Sequence, residues 1–508
     1  MSSTQHPDLD RFAELEDRAG EGGGAQLQRR QKRLGRMLAR ERIAALVDEG
    51  SFQELGKLRR SDPEDPALGD GVVTGVGNIA GRPVAVYAHD ATVLRGALGI
   101  GGARKIVRLL DHARRQRMPV VAIHDSDGVR VNEGPEAIAG FAEVLGRTAE
   151  LSGWVPQVGV VLGLCVGGAA YSSALQDVVI GQRETGFLFV TGSKVAKITT
   201  GQDAPIEDIG GVEMHARTTG LVHLAADGEL ECLAHARAVL GYFPRSAAEL
   251  VADLPCTDAA DRETPAIAGV LPDSDRKGYD MRRILTEVVD AGSFLELQAA
   301  YAPSLVVGLA RLAGRAIGIV ASQPSYNAGC LDVDSSRKGA RFVQLCSAYG
   351  LPVITFCDVP GFLPGKRQEQ GGLLLHGAKL IAAYAACRTP RVSLIVRKSY
   401  GGGNVLAYPA DVRLAYPFAR VQPMGMDAAR AVASHRTFGA DDGSDPEDEL
   451  RRRLGDRYDA MERAAEAGVV DAVIHPARTR IELVRALESL DRLPMRDLPP
   501  RAHPNIPM

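Results

Sequence analysis

With 508 residues the chain is long enough for two or more domains, each with a full core. Its 45% apolar and 24% charged composition is that of a soluble globular protein, and a net charge of −3 exerts no general pull toward nucleic acid or an anionic membrane. The seven cysteines form no CxxC pair and residues 1–25 are polar and then glycine-rich, which excludes a disulfide scaffold and a secretory leader and fits reduced thiols in the cytoplasm.

Residues 1–26 read as a mobile or loosely helical arm. Leu27 to Val47 is helical in composition, with Leu34, Leu38 and Ile43 set among polar groups. It contains the strongest basic run, Arg29 to Arg33, which reads as one helix face or as a contact for an anionic ligand. From Gly71 the pattern turns strand-like, and Ala80-Gly81-Arg82 supplies a hairpin turn between Val72–Gly75 and Val84–Tyr87. A helix from about Ala103 to Gln116, a buried strand Val120 to Ile123, a helix from about Glu136 to Ser152 and a strand Val158 to Leu164 follow. Trp154 to Leu175 is uncharged and long enough to span a membrane, but Pro156, Gln157 and a Gly-Gly pair break it. It and Val392 to Tyr408 read as buried strand, glycine turn and helix. Residues 252–278, rich in Pro, Asp and Ala, read as a linker. Residues 440–450 read as an acidic loop in which Asp445 caps, and Pro446 opens, a helix running through Ala467. The last dozen residues, with four prolines, are expected to lie extended.

The chain repeats itself. Pro119-Val120-Val121 leads to Asp125 and Gly128; Pro352-Val353-Ile354 leads to Asp358 and Gly361. At the same offset Ala80-Gly81-Arg82 matches Ala313-Gly314-Arg315, and Arg104-Lys105 matches Arg337-Lys338. One residue out of register, Gly167-Gly168-Ala169 matches Gly401-Gly402-Gly403. The period is far longer than a solenoid unit, so the pattern predicts two α/β domains of one fold, each with its own glycine turn. The boundaries expected are an arm over 1–26, a first domain over 27–258, a linker over 259–278 and a second domain over 279–508.

A glycine pair between a strand and a helix frees the backbone to present successive N–H groups beside a helix N-terminus, which suits an oxyanion. A lone pair of this kind more often serves close packing; its recurrence in both halves favours chemistry. No GxSxG, HExxH, Walker A or spaced Cys/His set is present. His124 and His376 lie near loops as candidate general bases, although such histidines are more often core or surface groups. Cys165 and Cys357 sit in apolar strands and read as packing residues. The rigid loop Asp358 to Gly365, with two prolines, either shapes a pocket or ends a strand.

Arg40-Glu41-Arg42-Ile43, Gly69 through Gly75, Cys165-Val166-Gly167-Gly168-Ala169, Thr191-Gly192, Asp358 through Gly365, Gln368-Glu369 and Gly377-Ala378-Lys379 together carry a resemblance over nearly the whole chain. The chain resembles the carboxyltransferase (β) subunit of biotin-dependent acyl-CoA carboxylases, of the propionyl-CoA carboxylase β type. The resemblance implies a duplicated crotonase-like α/β fold of two homologous spiral ββα domains. It implies transfer of CO2 from carboxybiotin on a carrier protein to the α-carbon of a coenzyme A thioester, through an enolate held by one glycine turn while the other holds the biotin anion. By match the catalytic turns are Gly167-Gly168 and Gly402-Gly403, with Ala169, Asn404 and Val405 beside the substrate and no metal. Which turn serves biotin stays open. A biotin carboxylase and biotin carboxyl carrier partner, a hexamer with shared sites and a cytoplasmic location are implied too. The sequence departs from the family at Asp127, where the usual segment has glycine, and at Gly401-Gly402-Gly403-Asn404, where it usually ends Gly-Gly-Ala-Tyr; both bear on substrate and direction. Two alternatives remain: a decarboxylase of a malonyl-type thioester, with or without biotin, and a non-catalytic assembly subunit.

Overall fold

Two hairpins show how closely the halves repeat. Strand β2 (Val72–Ile79) pairs antiparallel with β3 (Arg82–His89) through Ala80 and Gly81, at φ 49° and 73°. Strand β10 (Leu305–Leu312) pairs with β11 (Arg315–Ser322) through Ala313 and Gly314, at φ 50° and 80°. Two consecutive left-handed residues match the right-handed twist of the strands they join. The Asp48 carboxylate accepts from the N–H groups of Ala80 and Gly81 at 3.1 and 2.8 Å, and Asp290 accepts from Ala313 and Gly314 at 2.9 and 2.8 Å. An arginine closes each arrangement, Arg237 on Asp48 and Arg480 on Asp290.

The computed structural model describes residues 6–60, 67–274, 276–425 and 461–490. The acidic loop at 440–450, the helix start at Asp445 and Pro446, and the proline-rich end lie outside the described residues. The described residues divide into two compact units, one up to Glu249 and one from Leu250 to Leu490.

In the first unit the sheet runs β1 (Gln53–Glu54), β2, β3, β4 (Val120–Ser126), β5 (Gln157–Val166), β6 (Val178–Gln182), β8 (Leu224–Ala226), with β7 (Phe187–Phe189) paired to the end of β5. The second unit repeats it as β9 (Leu295–Leu297), β10, β11, β12 (Val353–Val359), β13 (Arg391–Tyr400), β14 (Val412–Ala415) and β16 (Ala472–Val473), with β15 (Arg420–Gln422) on β13. In both, the first three strands are antiparallel and the rest parallel. This is the duplicated ββα architecture that the resemblance implies. Both halves also break register at one place, between His124 and Ser126 and between Cys357 and Val359.

The aspartates at those breaks are buried and each meets a buried arginine. Asp125 accepts from Arg42 at 2.9 Å, and Arg42 also grips Glu229 at 2.7 Å; Asp358 accepts from Arg397 at 2.7 Å and from the Tyr279 hydroxyl at 2.9 Å. Burial works against the charge of Arg42, yet Glu229 and Asp125 hold its pKa above the ordinary value. Lys105 and Lys338 form a further pair, each capping two backbone carbonyls: Gly69 and Val72, and Gln298 and Tyr301.

Pro7–Gly20 is a regular helix, α1, capped by His6, within the stretch expected to be a loose arm. Leu27 to Val47 is two helices, α2 (Ala25–Arg33) and α3 (Ala39–Leu46), broken where Arg36 reaches out to the Thr185 carbonyl. Helix α4 (Ile100–Gln116) and α5 (Pro135–Leu151) cover the first sheet. The stretch read as a linker, 259–278, is tied to the second unit: Thr264 is fully buried, its N–H donates to Ala477 O, and Arg480 donates to Ala259 O. Among the described residues no helix is long and apolar enough to cross a membrane, and no cluster of three metal-type ligands occurs.

Candidate active site: two glycine turns

Strand β5 runs buried to Val166, and Gly167 then turns the chain at φ 58°, ψ −116°, a conformation that a side chain resists. Helix α6 (Gly168–Ala174) begins at once, and Tyr171 N–H closes its first turn on Gly167 O at 3.1 Å. The Gly167 N–H is not a free donor: it is bonded to Phe189 O on β7 at 3.0 Å. The groups ahead of the helical ladder are therefore the N–H of Gly168, Ala169 and Ala170. This moves the expected Gly167-Gly168 pair one residue forward, to Gly168-Ala169. Gly168 must lack a side chain, since a methyl group there would lie 2.5 Å from the Phe141 ring. Gly167 and Gly168 are half-buried, whereas the Ala169 methyl is core, so Ala169 contributes through its backbone.

The second turn starts alike. Strand β13 ends at Tyr400 and Gly401 turns at φ 49°. A methyl group on Gly402 would lie 2.9 Å from the Phe362 ring, and one on Gly403 would lie 2.8 Å from Val359. Phe362 thus stands behind this turn as Phe141 stands behind the first. The expected α-helix does not follow; Gly401–Val405 is a 3-10 turn. Asn404 shapes it, accepting from Ser399 Oγ at 2.6 Å, donating to Gly401 O at 3.2 Å and receiving Tyr408 N–H at 2.7 Å. In a 3-10 turn that opens at Gly401, the N–H groups ahead of the first i→i+3 bond are those of Gly401 and Gly402. Gly402 is exposed, while Gly403 and Val405 are buried, the latter 9% accessible.

His124 is no general base. It is fully buried, its ring 5.6 Å from that of His89 and both edge-on to Tyr87; burial lowers its pKa to about 3 and that of His89 to about 4. His376 is half-buried on the helix Leu373–Ala386, which runs beside the second turn because the Phe362 ring touches both Gly377 and Gly402. Burial, then Lys379 and Arg337, hold its pKa down. Cys165 and Cys357 are buried; burial pushes the first thiol well up and the second to about 12, so both are inert.

A cavity of about 380 Å³ lies in the first unit, at the end of β5 that feeds the first turn. Leu164 and Asp125 line its inner end, Leu27, Leu34 and Leu94 its walls, and Arg30, Arg36 and Arg95 bring cations from three separate segments. Asp125 is paired with Arg42 at 2.9 Å and with Arg36 at 3.9 Å, so the cavity lining sets three arginines against one aspartate and is cationic. The basic run at Arg29–Arg33 marks this feature in the sequence, and the Asp358–Gly365 loop contains Phe362; Phe141 and Arg95 carry no local signal.

The carboxyl transferase domain family matches residues 30–506. The chain belongs to that family. It is 39% identical, over 99% of its length and all of the relative's, to the propionyl-CoA carboxylase carboxyltransferase subunit of Haloferax mediterranei. It is 37% identical to the methylmalonyl-CoA decarboxylase subunit alpha of Veillonella parvula, over 96% of each. The transcarboxylase 12S hexamer, solved with hydrolysed methylmalonyl-coenzyme A bound, superposes with a TM-score of 0.91 at 35% identity over 96% of each chain. A carboxyl transferase is an enzyme, and this chain is one.

Proposed function

We propose that this carboxyl transferase moves a carboxyl group between biotin on a partner protein and the α-carbon of an acyl-CoA. The observation that carries the reading is the duplicated strand–glycine–donor geometry: two sets of backbone N–H groups for a reaction that develops negative charge on two oxygens. The cationic cavity beside the first turn suits the phosphate-bearing end of coenzyme A, and this breaks the symmetry. The thioester oxygen is assigned to the N–H groups of Gly168 and Ala169, and Gly401 and Gly402 to the biotin carbonyl. Each preorganised donor contributes about 2.7–4 kcal/mol to the transition state. Biotin on the partner, held at the Gly401 and Gly402 N–H groups, would supply the carboxyl group and the acceptor for the α-proton. The chain's own residues orient the reactants and hold charge; Asn404 acts by shaping the second turn, and Val405 is assigned the acyl contact.

Self-assembly suits the surface. Val131 in the short turn before α5, Ile138 at its start, and Leu374, Leu375 and Ile381 on the helix Leu373–Ala386 are more than half exposed apolar side chains. We assign them to contacts between copies in a closed homo-oligomer such as the 12S hexamer.

The decarboxylase relative supports a second reading, since loss of CO2 passes through the same enolate. The experiment is CO2 release from methylmalonyl-CoA by the purified protein, with and without free biotin. Release that requires biotin is expected. Release without biotin selects the decarboxylase, and silence with a panel of malonyl-type thioesters refutes both.

A further inference from the structure

Arg95 occupies a place where nothing about folding asks for arginine. Leu94 and Arg95 both sit in left-handed backbone, at φ 46° and 57°, in the turn Leu94–Gly96. Two non-glycine residues there cost stability. The turn is nonetheless bolted in place: Asp127 N–H donates to Arg95 O at 3.1 Å, Leu98 N–H to Gly128 O at 2.8 Å, and Gly96 lies so close to Asp125 O that no side chain fits. The Arg95 guanidinium then meets Asp127 at two points, Nε to Oδ2 at 2.9 Å and Nη2 to Oδ1 at 3.5 Å, which fixes its plane. The arginine stays 71% exposed and lines the cavity beside Arg30 and Arg36. An exposed pair of this kind contributes little stability, so stability does not account for it.

The second half sharpens the point. Its turn Asn327–Gly329 repeats the backbone, with Asn327 and Ala328 at φ 46° and 53°. Ala328 stands where the first half has Arg95, and Pro360 where it has Asp127. The ion pair therefore belongs to the first half alone. It sits next to the first glycine turn: Ser126 is in register with Cys165, and Gly128 packs against Val166 O, one residue before Gly167.

We propose that Arg95, held in orientation by Asp127, is a positioning residue that grips a phosphate of the coenzyme A nucleotide and so registers the thioester on the N–H groups of Gly168 and Ala169. A guanidinium with its plane fixed by a carboxylate keeps further N–H groups for a phosphate and has little freedom left to lose on binding. The proposal rests on the acyl-CoA reading above.

Its test is the affinity of the full-length protein for coenzyme A and for pantetheine, the same molecule without its nucleotide, measured by calorimetry or displacement. Arg95→Gly should weaken coenzyme A binding about tenfold and leave pantetheine binding unmoved. The thermal midpoint should not fall, because glycine fits the left-handed turn. Arg95→Lys, which keeps charge but not the planar fork, should recover only part of the loss. Asp127→Asn should also weaken coenzyme A binding, although it makes the site more positive. Equal loss for both ligands in Arg95→Gly, or tighter coenzyme A binding in Asp127→Asn, would overturn the proposal. A parent protein that does not bind coenzyme A overturns both it and the acyl-CoA reading. Coenzyme A binding with the predicted split but no carboxyl transfer upholds the Arg95 role and removes only the assigned reaction.

Discussion

The separation between Gly168 and Phe141 permits a quantitative test of the first turn. A methyl group at 168 would lie 2.5, 2.8 and 2.8 Å from three carbons of the phenyl ring, against an ordinary carbon contact of about 3.5–4.0 Å. Phe141 is 6% exposed and packed in the core of the first unit, so it cannot swing away. In Gly168→Ala the turn itself must retreat by about 1 Å, carrying the N–H groups of Gly168 and Ala169 with it. Misplacement on that scale costs about a hundredfold, and full loss of one donor about 10²–10³ in kcat. Gly168→Ala should therefore lower biotin-dependent CO2 release from methylmalonyl-CoA by about two orders of magnitude. Phe141→Ala, which removes all three of these ring carbons, should alone cost about 3–5 kcal/mol of stability and little activity. Combined with Gly168→Ala it makes room for the methyl group, and the double variant should regain most of the lost rate. The coupling is the point, since two independent defects would add. Activity of Gly168→Ala within threefold of the parent, or a double variant slower than Gly168→Ala, would refute the role given to this turn.

Two further outcomes can be checked. Burial holds His89 near 4 and His124 near 3, below the usual 6.5, so the unfolded chain binds more protons as pH falls below about 6.5. The stability due to their burial as neutral rings is whole above that pH and is lost down to about 3; thermal midpoints across this range should fall less steeply in His124→Phe, with turnover at neutral pH retained. Arg42→Met leaves Asp125 and Glu229 without their shared cation and should cost about 3–5 kcal/mol by chemical denaturation, whereas a loss under 1 kcal/mol would show the triad to be replaceable.

The features visible in the sequence are those written locally and then repeated. Ala80-Gly81 and Ala313-Gly314 predict their hairpins because a two-residue left-handed turn has a narrow residue requirement. The aspartates and the glycine turns fall in equivalent places because each is fixed by its own strand, and the buried lysines because each sits on the helix that follows the hairpin. What escaped the sequence depends on partners far along the chain. Whether the Gly167 N–H is free is decided by Phe189 O on β7, which moves the donors one residue on. Whether Gly168 tolerates a side chain is decided by Phe141.

The two turns diverge for a physical reason with a functional consequence. In the first, Ala169 and Ala170 continue the α-helix and three N–H groups stay ahead of the ladder. In the second, Asn404 locks a tighter turn through Ser399 and Gly401 O, and the ladder begins one residue sooner. The first therefore offers the wider set of donors, next to a cavity that gathers three arginines; the second offers fewer, at an exposed glycine. A thioester with a long phosphate-bearing tail needs the first arrangement, because the tail fixes register and the donors need only meet one oxygen. A cofactor on a tethered arm approaches without such an anchor, and an exposed Gly402 is the more accessible of the two. On the proposed assignment, the duplication supplies two oxyanion sites of one design, and the residues that flank each glycine give them different partners.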